Sequence, residues 1–235
     1  MSHDFLTARW KNVILLTYRV PAELLTPRLP PGCVLDVRPG DSAGHGYVSL
    51  VAFDFLETRV LGVGWPGYRN FPEINLRFYV RHGGDRGVCF IREFVPKRLV
   101  ATMARRIYNE PYRTAKMASE TTDAAELQIR HRLWRGGEEN VLAVTAGKTL
   151  AQPAADSVEH FFKEHQWGFG ITRGGKRVTY EVSHPVWDVY PVRSFHMEWN
   201  WARVYGDEWG LLQGAEPVHV MLAAGSAVRV SPKRV

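Results

Sequence analysis

Between residues 71 and 82 the chain alternates between apolar and polar side chains, with Ile74, Leu76, Phe78 and Val80 on the even positions and Glu73, Asn75, Arg77 and Tyr79 on the odd ones. A period of two defines a strand with two unlike faces. The polar face looks either onto bulk water, as an ordinary ion-paired surface, or into a wet pocket. In a pocket it would set a carboxylate, an amide, a guanidinium and a phenol along one line, a set suited to a small polar ligand. The turn HGGDRG, a second strand and an amphipathic helix over residues 97–108 follow. Leu99, Val100, Met103, Ala104 and Ile107 share one side of that helix, and Arg98, Thr102, Arg105 and Arg106 the other, as in a surface helix packed on a sheet. Pro111 keeps Glu110 out of helical geometry, so Asn109-Glu110-Pro111-Tyr112 is a turn whose side chains project at the helix end.

Further strands are expected at residues 11–20, 33–38, 46–60, 127–134, 141–149, 168–172, 177–182, 217–223 and 226–230, with a short helical turn after Pro21 and a helix capped by Asp156 or Ser157. Residues 205–212 read as a last short helix. HGGDRG, RGGEEN and RGGKR supply the glycine pairs that tight hairpins require. Many strands with few helices, and no internal repeat, define an α+β, mainly antiparallel β domain over residues 1–235 that closes into a barrel.

A 235-residue chain that is 45% hydrophobic buries a core without metals or disulfides. Cys33 and Cys89 are too few for a disulfide framework, sit in no metal-binding spacing, and read as buried thiols of a cytoplasmic protein. Residues 1–12 lack a signal-peptide pattern, and the apolar run at residues 13–16 is too short to span a bilayer, so no membrane partner is expected. The formal charge of +6 is concentrated locally: residues 92–116 carry seven Lys/Arg against two Glu. That favours an anionic partner, or is simply a solvated helix face.

The motifs that suggest named chemistries lack their structural context. Gly62-Val63-Gly64-Trp65-Pro66-Gly67 has the letters of a dinucleotide fingerprint but runs into Pro66 and extended chain instead of a helix. Gly40-Asp41-Ser42-Ala43-Gly44 lies between two strands, where a nucleophile elbow needs a strand followed by a helix. The histidines form no metal-ligand spacing, so no metal or cofactor is expected. Trp187, Tyr190, Phe195, Trp199 and Trp201 nearly alternate, which fits a core or cavity wall better than a stacking surface for nucleic acid. A homo-oligomer is left open.

Read together, FLTARWKNVILLTYRVPAELLTPRLPPG, GYVSLVAFDFLETRVLGV, RNFPEINLRFYVR, GVCFIREFVPKRLVATMARRIYNEPY, SVEHFFKEHQWGFG and VTYEVSHPVW resemble the DUF2071 (YqjF-like) family of bacterial proteins of unknown function, from residue 5 to about residue 192. That family looks related to acetoacetate decarboxylase, a cone-shaped antiparallel β-barrel flanked by helices with a pocket inside. The order of features here is similar: a strand, helical turn and prolines over residues 13–31, a strand carrying Glu73, a hairpin, then Ile107-Tyr108-Asn109-Glu110-Pro111. In acetoacetate decarboxylase paired lysines follow that proline, and the first forms a Schiff base with its pKa lowered by its cationic neighbour. Tyr112 and Arg113 stand there in this chain, and Lys116 lies roughly 10 Å further on and faces the opposite side. The resemblance therefore implies no decarboxylation through an imine by that route. It places Glu73 where the relative's pocket carboxylate lies, and Lys11 where a substrate-binding arginine lies.

The resulting expectation is an acetoacetate decarboxylase-like barrel holding a small anionic or carboxylated molecule near Glu73, Asn75, Arg77, Asn109, Glu110 and Tyr112. Glu73 would serve as acid or base and Tyr112 as proton or hydrogen-bond donor, with Arg77, Arg113 and Lys11 binding the substrate. Lyase, hydratase or isomerase chemistry on an oxo acid suits those groups. A non-catalytic ligand-binding barrel, or a basic surface for nucleic acid or protein, is the alternative.

Overall fold

The structure, a computed structural model, describes residues 4–41, 43–107 and 109–235. Ser42 of the G-x-S-x-G motif, and Tyr108 at the end of the expected helix, lie outside the described residues. The chain enters on β1 (Leu6–Pro21), turns through α1 (Ala22–Leu25) and the two-residue β2 (Val34–Leu35), and returns along β3 (His45–Val60). The hairpin β4 (Phe71–His82) and β5 (Asp85–Val95) is followed by α2 (Arg98–Ile107) and β6 (Tyr112–Thr114). A meander of β7 (Lys116–Asp123), β8 (Leu127–Arg135) and β9 (Glu138–Ala146) leads to α3 (Val158–Lys163) and the hairpin β10 (Trp167–Ile171) and β11 (Arg177–Ser183). Last come β12 (Val189–Tyr190), β13 (Val192–Glu198), α4 (Trp201–Tyr205), β14 (His219–Ala223) and β15 (Ala227–Val230).

Seven strands close into a barrel in the order β1, β3, β4, β5, β10, β11, β15 and back to β1. Every contact in the ring is antiparallel except β5 with β10. β13, β9, β8 and β7 form a separate four-stranded sheet. The second sheet accounts for the alternation in β4. Ile74, Leu76, Phe78 and Val80 point out of the barrel into one cluster with Ile129, Leu133, Leu142 and Trp201. The odd residues, Glu73 to Tyr79, point inward. Both faces of β4 are thus covered, and its polar row faces the barrel interior instead of bulk water.

The two ends of the barrel are treated differently. At the end where β3 begins and β4 finishes, Tyr47 and Tyr79 pack against Phe161 and Phe162 of α3. This helix is a plug, capped by Ser157, whose Oγ accepts from the His160 N–H at 3.1 Å. At the opposite end α2 lies across the opening: Leu99, Val100, Met103 and Ala104 line the interior space, Ile107 of the same stripe packs on Val178 and Tyr180 of β11, and Leu99 is 46% exposed. Among the described residues, no helix is long and apolar enough to cross a membrane.

Candidate functional site

Between plug and opening lies a cavity of about 400 Å³. Glu73, Asn75, Arg77, Glu110 and Tyr112, five of the eight residues singled out by the sequence, line it together. The other three do not. Lys11 is exposed opposite Asp54 on β3, because the bulge in β1 around Asn12 turns Trp10 and Val13 inward. Arg113 is exposed because Tyr112, its neighbour on β6, takes the inward position. Asn109 has left-handed backbone (φ 58°) and is exposed, and its amide donates to the Ile171 carbonyl at 2.5 Å. This backbone turn ends α2 and swings the next residue, Glu110, into the chamber. Substrate contact by Lys11, Arg113 or Asn109 from these positions would have to be made outside the cavity.

Two further residues complete the polar end. Glu93 on β5 is 2% exposed and hydrogen-bonded to Glu73. Tyr180 on β11 donates to Glu110 Oε1 at 2.9 Å. Neither was legible as a site residue from the alternation of β4. Glu93 faces inward because β5 carries an extra residue between its pairings Arg77↔Phe90 and Leu76↔Arg92. The bulge reverses the phase of the strand, so Phe90 and Glu93 both enter the chamber while Arg92 turns out to the Val204 carbonyl. Tyr180 stands over Gly168, where an added Cβ would meet the ring at 2.2 Å. Gly168→Ala is therefore expected to displace Tyr180 from Glu110 and to destabilise the protein by about 1–3 kcal/mol, read as a lower urea midpoint with an unchanged slope.

Glu73 accepts hydrogen bonds from Asn75 Nδ2 and the Tyr112 hydroxyl, both at 2.9 Å. Burial pushes its carboxyl up to about 7, against the opposing pull of those bonds, of Glu93 and of the Arg77 charge. Glu93 is held well above the usual carboxylate range by burial and then by Glu73 and Glu110, so it is the neutral donor to Glu73. Burial raises Glu110 to about 8; the Tyr180 hydrogen bond opposes this and the Glu73 charge adds to it. Burial and the two facing glutamates also push the Tyr112 phenol well up. The three carboxyls hold protons as a group, and near neutral pH they carry far less than three charges.

Among the described lining residues Arg77 is the only cation. One of its Nη atoms donates to the Phe162 carbonyl at 3.3 Å, and its Nε is buried without a partner. Asn75 Oδ1 and Glu93 Oε1 are likewise buried and unpartnered. These are the atoms that the polar end of a ligand would satisfy. Lys163, the buried lysine of α3, pairs with Glu164 and does not line the cavity. Among the described residues, no group of His, Cys, Asp or Glu is arranged to hold a metal ion. Of the near-alternating aromatic residues, Trp187, Trp199 and Trp201 are buried, Tyr190 is half-buried and Phe195 is exposed.

The closed seven-strand barrel is an acetoacetate decarboxylase-like fold. It overlays 96% of this chain on 84% of acetoacetate decarboxylase from Legionella pneumophila, with a TM-score of 0.62 at 12% identity. It also overlays 97% of the chain on 89% of the enduracididine biosynthesis enzyme MppR complexed with pyruvate, with a TM-score of 0.65 at 15% identity. Within that fold the chain belongs to the DUF2071 family, an uncharacterized conserved protein family, which residues 7–227 match. It is 34% identical over 183 residues to the uncharacterized protein YqjF of Bacillus subtilis (strain 168), covering 76% of this chain and 72% of that one.

Proposed function

We propose that the barrel chamber binds a small oxo acid and that Glu73 moves a proton on it, in lyase, hydratase or isomerase chemistry that forms no imine. The observation that carries this reading is the Glu73 carboxyl itself: buried, aimed into the barrel chamber, and pushed by burial up to about 7 against the hydrogen bonds of Asn75, Tyr112 and Glu93. A base of that kind takes a proton from the carbon beside a carbonyl group. Arg77, with its unpaired Nε, receives the substrate carboxylate. Once Glu73 has taken the proton, the Tyr112 hydroxyl is released to donate to the oxygen on which negative charge develops, and neutral Glu110 is a second donor. Electrostatics at the opening support an anionic partner. Residues 58–72 and 96–107, from which Val63, Trp65, Leu99 and Met103 line the cavity, contain six Lys/Arg and no Asp/Glu, and such a field draws anions toward the mouth. The MppR structure contains pyruvate, an oxo acid, in the same fold.

A non-catalytic binder is the second reading, favoured by the lack of any lysine among the described lining residues. The two separate in one experiment: 2-oxobutanoate incubated with the protein in deuterium oxide and followed by proton NMR. Loss of the C3 proton signal above the buffer rate is expected. Binding without exchange assigns the chamber to a binder, and neither binding nor exchange overturns both readings.

A further inference from the structure

Building on that reading, we infer that the preferred ligand is an oxo acid with a long apolar substituent, either an alkyl chain of about six to eight carbons or an aryl group, and not a short hydrophilic acid. The chamber is two-ended in chemistry. Most of its polar atoms lie on the β4–β5 side, on Glu73, Asn75, Arg77, Glu93 and Glu110, inward of Phe71 at the opening end of β4, and one small oxo acid head reaches them. The remaining wall is mainly hydrocarbon, broken by Trp10 Nε1 and Thr58 Oγ1, which are buried without a partner: Trp10, Phe53 and Trp187 are packed as a ring cluster, with Trp10 centroids 4.8 Å from Phe53 and 5.8 Å from Trp187. A volume of about 400 Å³ lies in the range that encloses drug-sized molecules, roughly 300–1,000 Å³, and a four-carbon acid would leave most of that wall uncovered.

The opening continues the same surface outward. Val63, Trp65 and Leu99 line the cavity and are also 50%, 57% and 46% exposed. Large apolar side chains at a mouth gain nothing from water, and their contact with the tail of a bound molecule would remove area from solvent on both partners. A ligand whose head reaches Glu73 and whose tail runs past Trp10 to Trp65 uses the whole chamber. A ligand ending at three or four carbons uses only its inner end.

The test is calorimetric titration of the full chain with 2-oxobutanoate, 2-oxohexanoate, 2-oxooctanoate and phenylpyruvate, beside octanoate as the control lacking the oxo group. Each added methylene is expected to tighten Kd by about three- to fourfold, so 2-oxooctanoate binds on the order of 100-fold tighter than 2-oxobutanoate. A Kd that stays level or weakens along the series overturns the inference while leaving an oxo acid in the chamber. Octanoate binding as tightly as 2-oxooctanoate keeps the apolar tail but overturns the oxo acid reading on which the inference builds. Trp65→Ser and Leu99→Ser change exposed positions and leave the core intact. They are expected to remove about five- to tenfold of affinity for 2-oxooctanoate with 2-oxobutanoate unchanged. Equal affinities in variants and wild type would overturn the role of the rim.

Discussion

Glu73→Gln is expected to lower the rate of C3 proton exchange on a bound 2-oxo acid by about 100- to 10,000-fold, the usual contribution of a positioned general base. The substitution keeps the shape of the side chain. The glutamine carbonyl still accepts from the Tyr112 hydroxyl or Asn75, so binding measured by calorimetry is expected to stay within about threefold. In wild type the exchange requires ionised Glu73, so its rate rises with pH through a midpoint of about 7 and then levels off. The Tyr112 hydrogen bond stabilises the charged form of Glu73. Tyr112→Phe removes it and is expected to move the midpoint to higher pH as well as lowering the plateau. A structural role alone would change the plateau and leave the midpoint in place. Exchange by Glu73→Gln at the wild-type rate would remove Glu73 from the chemistry.

The inward row of β4 was readable because period-two alternation is a local property, and both faces of that strand lie in one unbroken register through Asn75. The DUF2071 segments likewise indicated the barrel. What escaped the sequence depends on events between strands. One extra residue in β5 inverts its phase and brings in Glu93, and the bulge near Asn12 sends Lys11 outward; neither leaves a mark that a pattern of apolar residues discloses. The four-stranded outer sheet was also missed as a unit, because β7 (KMASETTD) is half exposed and polar, with little hydrophobic signal. Helix α2 shows the same limit from another side. Its apolar stripe was correctly placed, but a stripe specifies only that something apolar lies opposite, and here that is the opening of a chamber and, for Ile107, β11.

Glu110→Gln is expected to raise stability at alkaline pH and leave it unchanged in acid. Glu73 and Glu110 titrate at about 7 and about 8 in the folded chain, against 4.5 for an unburied glutamate. Below that lower value both folded and unfolded chains are protonated, and burial of the neutral carboxyls costs little. As pH rises, the unfolded chain releases these protons while the folded chamber retains them, so the stability they contribute falls by about 1.4 kcal/mol for each unit of pKa elevation. The decline ends when the folded carboxyls ionise in turn, near their own pKa values. His165 works in the opposite sense over part of the range: burial lowers it to about 4 beside Asp36, so the folded state gains stability as pH rises toward the ordinary histidine value. A wild-type profile therefore mixes the two slopes, and the difference between wild type and variant isolates the glutamate. That difference is expected to be near zero at about pH 4.5 and to grow to on the order of 10–20 °C in Tm at about pH 8.5, since each kcal/mol moves Tm by about 2–4 °C in a domain of this size. Glutamine still accepts the Tyr180 hydrogen bond, so the gain does not depend on losing that contact. Parallel profiles for variant and wild type would show that Glu110 ionises as easily folded as unfolded, which contradicts its burial beside two other carboxyls.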